Sequence, residues 1–155
     1  MKIVMFARHA KYLSNPERLS EAGRRQSEAL ADGLAANGSV PDIILCSPLE
    51  RAFQTAKLIT ERLGTNIEIV KKQCLGYDWP PDQSADTLTE ISQSSGSNVL
   101  CITHEANIAA LTSLSDKQQL FTPNAACVTY SIEAQEDNTT GSPLKFIRQF
   151  IPDPV

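Results

Sequence analysis

The sequence predicts an α/β protein: a three-layer sandwich with a mainly parallel central sheet flanked by helices and an antiparallel C-terminal finish. Three observations carry this expectation. Short apolar runs alternate with segments of helical periodicity, the pattern of strands joined by helical crossovers. The first run, Ile3-Val4-Met5-Phe6-Ala7, is continuous rather than alternating, as in a strand covered on both faces. Two late runs, 127–132 and 146–151, do alternate, and the polar stretch 135–142 between them fits a hairpin loop. A chain of 155 residues, 41% hydrophobic, is long enough for one core, so a single domain over 1–155 is expected.

Taken in order, the first strand gives way at Arg8-His9 to a polar connection, 11–19, containing Pro16. Ser20 suits a helix N-cap and Glu21 its first turn. Ala22, Gln26, Ala29, Leu30, Gly33 and Leu34 then fall on one helical face, and Asn37-Gly38 ends it. A second apolar strand spans 43–46. Ser47-Pro48 directly after it reads as an N-cap with proline in the first helical position, opening a helix that stops at Gly64. A short strand over 67–70 precedes a patternless loop, 71–85, with Gly76, Pro80 and Pro81. A brief helix with Leu88 and Ile91 leads through the turn 94–98 to the buried strand 99–103, which ends at His104. Ile108, Ala109, Leu111 and Leu114 continue as a helix.

Composition narrows the function. A net charge of -4 argues against a general nucleic-acid binder but leaves room for a small cationic pocket. Of the four cysteines, Cys46, Cys101 and Cys127 lie in apolar runs, so they read as buried, reduced core residues. No leader-like segment precedes the first strand and no run reaches membrane-spanning length, so a cytoplasmic protein without membrane contact is expected. With only His9 and His104 available, no metal site and no cofactor are expected. Oligomeric state is not legible.

Three strands end in a chemically useful group: Arg8-His9, Ser47 with Arg51 after it, and His104. Right-handed crossovers bring the carboxyl ends of parallel strands to one sheet edge, where ligands of such folds bind. The set suits phosphoryl transfer. Arg8 and Arg51 can each fork two N–H donors onto phosphate oxygens, and the helix begun at Ser47-Pro48 offers free backbone N–H groups. His9 can attack phosphorus, and His104 can stabilise charge on the equatorial oxygens. Two neighbouring guanidinium groups should lower the pKa of His9 and keep it neutral. Cys46 and Arg51 are separated by four residues, one fewer than a cysteine-phosphatase loop needs.

At these residues the chain resembles the histidine phosphatase superfamily, also called phosphoglycerate mutase-like. The resemblance is carried by Arg8-His9-Ala10, by Leu19-Ser20-Glu21-Ala22-Gly23 with Gln26, by Ser47-Pro48-Leu49-Glu50-Arg51-Ala52 with Gln54-Thr55-Ala56, and by Thr103-His104-Glu105 with Ile108. It implies that His9 is phosphorylated in an intermediate and that Arg8, Arg51 and His104 complete the phosphate pocket. Asn15 stands where many members have an asparagine touching the phosphate. Ala10 replaces the usual glycine, which requires negative φ there. The segment Lys72-Gln73-Cys74-Leu75 lacks the usual acidic residue, leaving Asp78, then Asp82, as the nearest acids. Length, the weak acid and the Phe121-Thr122-Pro123 region make the small SixA-type phosphohistidine phosphatases the most similar members. A labile phosphoramidate needs a leaving-group acid less than an alkyl phosphate does. The expected function is therefore dephosphorylation of phosphohistidine on a partner protein. The alternatives are a small-metabolite phosphomonoesterase of the same fold and a non-catalytic phosphate-binding module.

Overall fold

The computed structural model describes residues 2–116, 122–132 and 143–152. The main sheet contains β1 (Lys2–Arg8), β4 (Ile43–Cys46), β5 (Glu68–Lys71), β6 (Asn98–Thr103), β7 (Cys127–Ile132) and β8 (Leu144–Phe150). A separate two-stranded ribbon joins β2 (Tyr12–Leu13) to β3 (Arg18–Leu19). The helices are α1 (Glu21–Ala36), α2 (Glu50–Leu63), α3 (Ser84–Ser92) and α4 (Glu105–Thr112). The sheet order is β5-β4-β6-β1-β7-β8. The pairs β5·β4, β4·β6 and β6·β1 are parallel, whereas β7 runs antiparallel to both of its neighbours. The expected loop at 135–142 and Phe121 lie outside the described residues.

Alternation along β1 divides the core. Met5 and Ala7 face one side, packing with Leu30, Ala31 and Leu34 of α1 and Ala52, Ala56 and Ile59 of α2. Val4 and Phe6 face the other, with Leu88 and Ile91 of α3 and Ile108 and Leu111 of α4. Helices therefore cover both faces, and the continuous apolar run of β1 follows from burial on two sides. All four cysteines are buried and free. Burial pushes the Cys46 thiol up to about 11, so it stays protonated at neutral pH and is no nucleophile.

One local expectation is corrected. Helix α2 opens at Glu50, with Leu49 as its N-cap, rather than at Ser47-Pro48. Ser47 is still held by the sheet, its N–H donating to the Ile102 carbonyl at 2.9 Å. Its hydroxyl lies 2.8 Å from His104 Nε2 and accepts only a long 3.3 Å bond from the Leu49 N–H. The local N-cap signal yielded to a tertiary partner. The signal at Ser20 held: its hydroxyl accepts the Gly23 N–H, and α1 begins at Glu21.

Candidate active site

The parallel strands β1, β4 and β6 deliver their carboxyl ends to one edge, with β1 adjacent to β6 and β6 adjacent to β4. This edge carries Arg8 and His9, then Ser47, then His104. His9 is clamped through its backbone. Its N–H donates to the Thr103 carbonyl at 3.0 Å, its carbonyl accepts from Asn124 Nδ2 at 3.1 Å, and the following Ala10 N–H donates to Thr55 Oγ1 at 3.0 Å. Thr55 donates in turn to the Arg51 carbonyl at 2.7 Å, which ties the turn after His9 to the first turn of α2. Among the described residues the non-glycine positions with positive φ are Asn15 and Ala125, so Ala10 holds the negative φ that its Cβ requires.

The His9 imidazole is only 4% exposed. Its Nδ1 lies 3.0 Å from the Ala10 carbonyl, which can only accept, so Nδ1 carries the proton and Nε2 presents a lone pair. Arg51 Nε donates to that lone pair at 3.3 Å. The His104 ring stands edge-on to His9, with centroids 5.1 Å apart. Although His104 occupies the N-cap position of α4, its side chain turns to Ser47 instead of capping the helix.

Burial lowers the pKa of His9 to about 4, assisted by the charges of Arg51 and Arg8 and opposed by the Ala10 carbonyl. Desolvation is thus a larger cause than the guanidinium groups to which the sequence pointed. His104 is also lowered to about 4, first by burial and then by His9 and Arg51. Both rings are neutral at pH 7. Because these values lie below 6.5, the unfolded chain takes up protons that the folded chain refuses. The resulting stabilisation is full above about pH 6.5 and is lost as the pH falls toward 4. Denaturant unfolding across this interval should show stability falling with pH. The acid limb of kcat/KM is expected near pH 4; a limb at 6.5 would show that His9 is not held neutral by its site.

Each arginine is paired with a glutamate. Arg51 Nη1 contacts Glu17 Oε1 at 2.6 Å, and the Arg51 backbone N–H donates to Glu17 Oε2 at 3.0 Å. Arg51 also lies over the Tyr12 ring, 4.5 Å from its centroid. Arg8 Nη1 reaches Glu105 Oε2 and the Thr122 carbonyl, each at 3.3 Å. Glu17, in the turn that joins β2 to β3, was not anticipated. Nothing in the polar stretch 11–19 distinguishes it, because its position depends on a ribbon too short to leave a periodic signature. Its carboxylate takes a backbone N–H at the start of α2 that the sequence assigned to phosphate.

Asp78 and Asp82 lie exposed on the connection between β5 and α3. Asp78 helps line a groove with Tyr77, Trp79, Ala106 and Asn107, and Tyr77 reaches the His104 ring with centroids 5.6 Å apart. Asn15 is exposed in the ribbon turn, two residues before Glu17. Thus Arg8, His9, Ser47, Arg51 and His104 are drawn together, whereas Asp78, Asp82 and Asn15 stay at the surface. No group of three metal-ligating side chains occurs among the described residues.

Residues 4–75 match the histidine phosphatase superfamily (branch 1). The chain resembles this superfamily and, within it, the small SixA-type phosphatases. The structure of the protein histidine phosphatase SixA complexed with tungstate superposes with a TM-score of 0.78 at 19% identity, covering 95% of each chain. An Agrobacterium tumefaciens protein assigned to SixA gives 0.74 at 21% identity, covering 98% of this chain and 99% of that one. A phosphoserine phosphatase from Entamoeba histolytica, solved with 3-phosphoglyceric acid, gives 0.65 at 16% identity over 85% of this chain and 91% of its own. No curated protein sequence matches. The fold is the phosphoglycerate mutase-like α/β fold, and no helix among the described residues is long and apolar enough to cross a membrane. In the histidine phosphatase comparison, the matched stretch contains Arg8, His9 and Arg51 but ends before His104.

Proposed function

We propose that the chain is a histidine phosphatase that hydrolyses phosphohistidine on a partner protein through a phosphorylated His9. The observation that carries this reading is the lone pair of His9 Nε2, fixed by the Nδ1 contact to Ala10 and facing a guanidinium beside a second neutral imidazole. In the first step Arg51 Nε releases Nε2 and turns to the phosphoryl oxygens. The Nε2 lone pair forms the new P–N bond. The substrate P–N bond breaks, and its electrons stay as a lone pair on the nitrogen that held phosphorus; with a proton on its other ring nitrogen, the substrate histidine departs as a neutral imidazole. In the second step water attacks phosphorus, the electrons of the His9 P–N bond return to Nε2, and the water proton leaves with phosphate or to solvent. Arg8 and Arg51 hold the charged oxygens. Ser47 orients His104, which contributes to the same oxygens. Asn15 is proposed to close on the phosphate from the ribbon, and Asp78 to serve the leaving group where one needs a proton.

The fold's small size and the exposed position of Asp78 favour a substrate that needs little acid assistance. The test is turnover of a phosphohistidine-bearing protein against sugar, glycerate and nucleotide phosphates. Acid-labile phosphate on His9 and preferential hydrolysis of the phosphohistidine protein are expected. Turnover confined to the small esters would instead establish a metabolite phosphatase. Absence of any label on His9, with phosphate bound, would establish a binding module.

A further inference from the structure

Granted the phosphatase function above, we propose that Glu17 and Glu105 restrict the pocket to phosphoryl groups carried on neutral or cationic leaving groups and reject substrates bearing a second anion beside the phosphoryl group. The cations acting on the two imidazoles are Arg8 and Arg51. Each already has a carboxylate partner, Glu105 at 3.3 Å and Glu17 at 2.6 Å. Both imidazoles are neutral, so this set of groups carries no net charge before substrate arrives. A phosphoryl group can share the two guanidinium groups with their carboxylates, since each offers five donors. Neither guanidinium is then left over for a second anion on the substrate.

The carboxylates are also the more open member of each pair. The side chains of Glu17 and Glu105 are 28% and 59% exposed, more open than those of Arg51 at 12% and Arg8 at 27%. The residues lining the neighbouring groove include Asp78 but no lysine or arginine. At its mouth Tyr77 is 67% exposed, with its ring against His104. An exposed aromatic ring in a groove whose lining includes the Asp78 carboxylate favours an imidazole or imidazolium and disfavours a glycerate carboxylate or a further phosphate. A like charge within several ångströms of two carboxylates, in a partly solvated site, weakens binding roughly tenfold.

The test uses matched, non-hydrolysable ligands: phenylphosphonate and 4-carboxyphenylphosphonate, titrated calorimetrically into the full chain and into Glu17→Gln/Glu105→Gln. Glutamine removes the charge and keeps one oxygen acceptor for each arginine; at Glu17 it gives up one of the two bonds to Arg51, so undiminished binding of phenylphosphonate by the variant is the expected sign that the pocket persists. The wild-type chain is expected to bind the carboxylated ligand roughly tenfold more weakly, and the variant to reduce that gap to about twofold. Equal affinities in the wild type, or an undiminished gap in the variant, would overturn the charge selection while leaving the phosphatase function standing. Failure of both ligands to bind would remove the phosphate pocket itself, and both conclusions with it.

Discussion

Replacing His9 by alanine is expected to reduce turnover roughly 10³-fold or more, the usual consequence of deleting a covalent nucleophile. The backbone around His9 does not depend on its ring. The His9 N–H is held by Thr103, its carbonyl by Asn124 and the Ala10 N–H by Thr55. The ring itself packs against Tyr12 and His104, at centroid distances of 5.4 and 5.1 Å. Its loss should therefore cost about 1–2 kcal/mol of stability and leave the fold intact. Arg51 remains fixed by Glu17 and Tyr12, so tungstate should still bind to the alanine variant. The measurements are initial rates with a phosphohistidine protein, acid-labile labelling and calorimetric titration with tungstate. Glutamine at position 9 gives a second check, because it restores much of the ring's volume without a nucleophilic nitrogen. Substantial turnover by the glutamine variant would sink the proposed covalent step.

Gly23→Ala is expected to be the most damaging conservative change in the N-terminal half. A Cβ at Gly23 would lie 1.9 Å from the Lys11 carbonyl oxygen and 2.9 Å from its carbon, both backbone atoms. The clash cannot be relieved by a side-chain rotation. The Lys11 carbonyl also accepts the Ser20 N–H at 3.0 Å and the Ser20 hydroxyl at 3.2 Å, while that hydroxyl caps the Gly23 N–H at 3.0 Å. Separating the two chains therefore breaks the start of α1. A cost of about 3 kcal/mol is expected, lowering Tm by roughly 10 °C. Because Lys11 lies two residues after His9, kcat should fall as well. Gly64→Ala provides the comparison: φ there is +70°, nothing lies within 4 Å of the added Cβ, and only about 1 kcal/mol should be lost. Equal losses at the two positions would show that the Lys11–Gly23 contact is not tight.

The elements that position the pocket were legible because each obeys a local rule. β1, β4 and β6 are continuous apolar runs, as burial on both faces demands, and their last residues mark the sheet edge. Arg8, His9 and His104 follow from that alone. Ser47-Pro48 was locally ambiguous, since the same hydroxyl that could cap a helix could instead serve His104 across 57 residues of chain. Arg51 falls at the second residue of α2, closer to the helix start than the sequence placed it. Glu17 was invisible for a related reason. Its value lies in a contact with Arg51, 34 residues away, made through a ribbon of two-residue strands. The cause of the low His9 pKa was partly misjudged because charges can be read from a sequence, whereas desolvation needs the packed site.

The central place of β1 has a consequence for how the protein is made. This strand is made before both of its sheet partners, residues 98–103 and 127–132. At roughly 5–20 residues per second, several seconds or more separate its appearance from that of β6. Throughout that interval an apolar strand with unpaired edges waits beside a growing chain, the state in which association with other nascent chains competes with folding. His9 acquires its backbone tether to Thr103 only when β6 arrives, and its tether to Asn124 later still. The backbone setting of His9 is thus completed only after residues more than 90 and more than 110 positions further along the chain have been made.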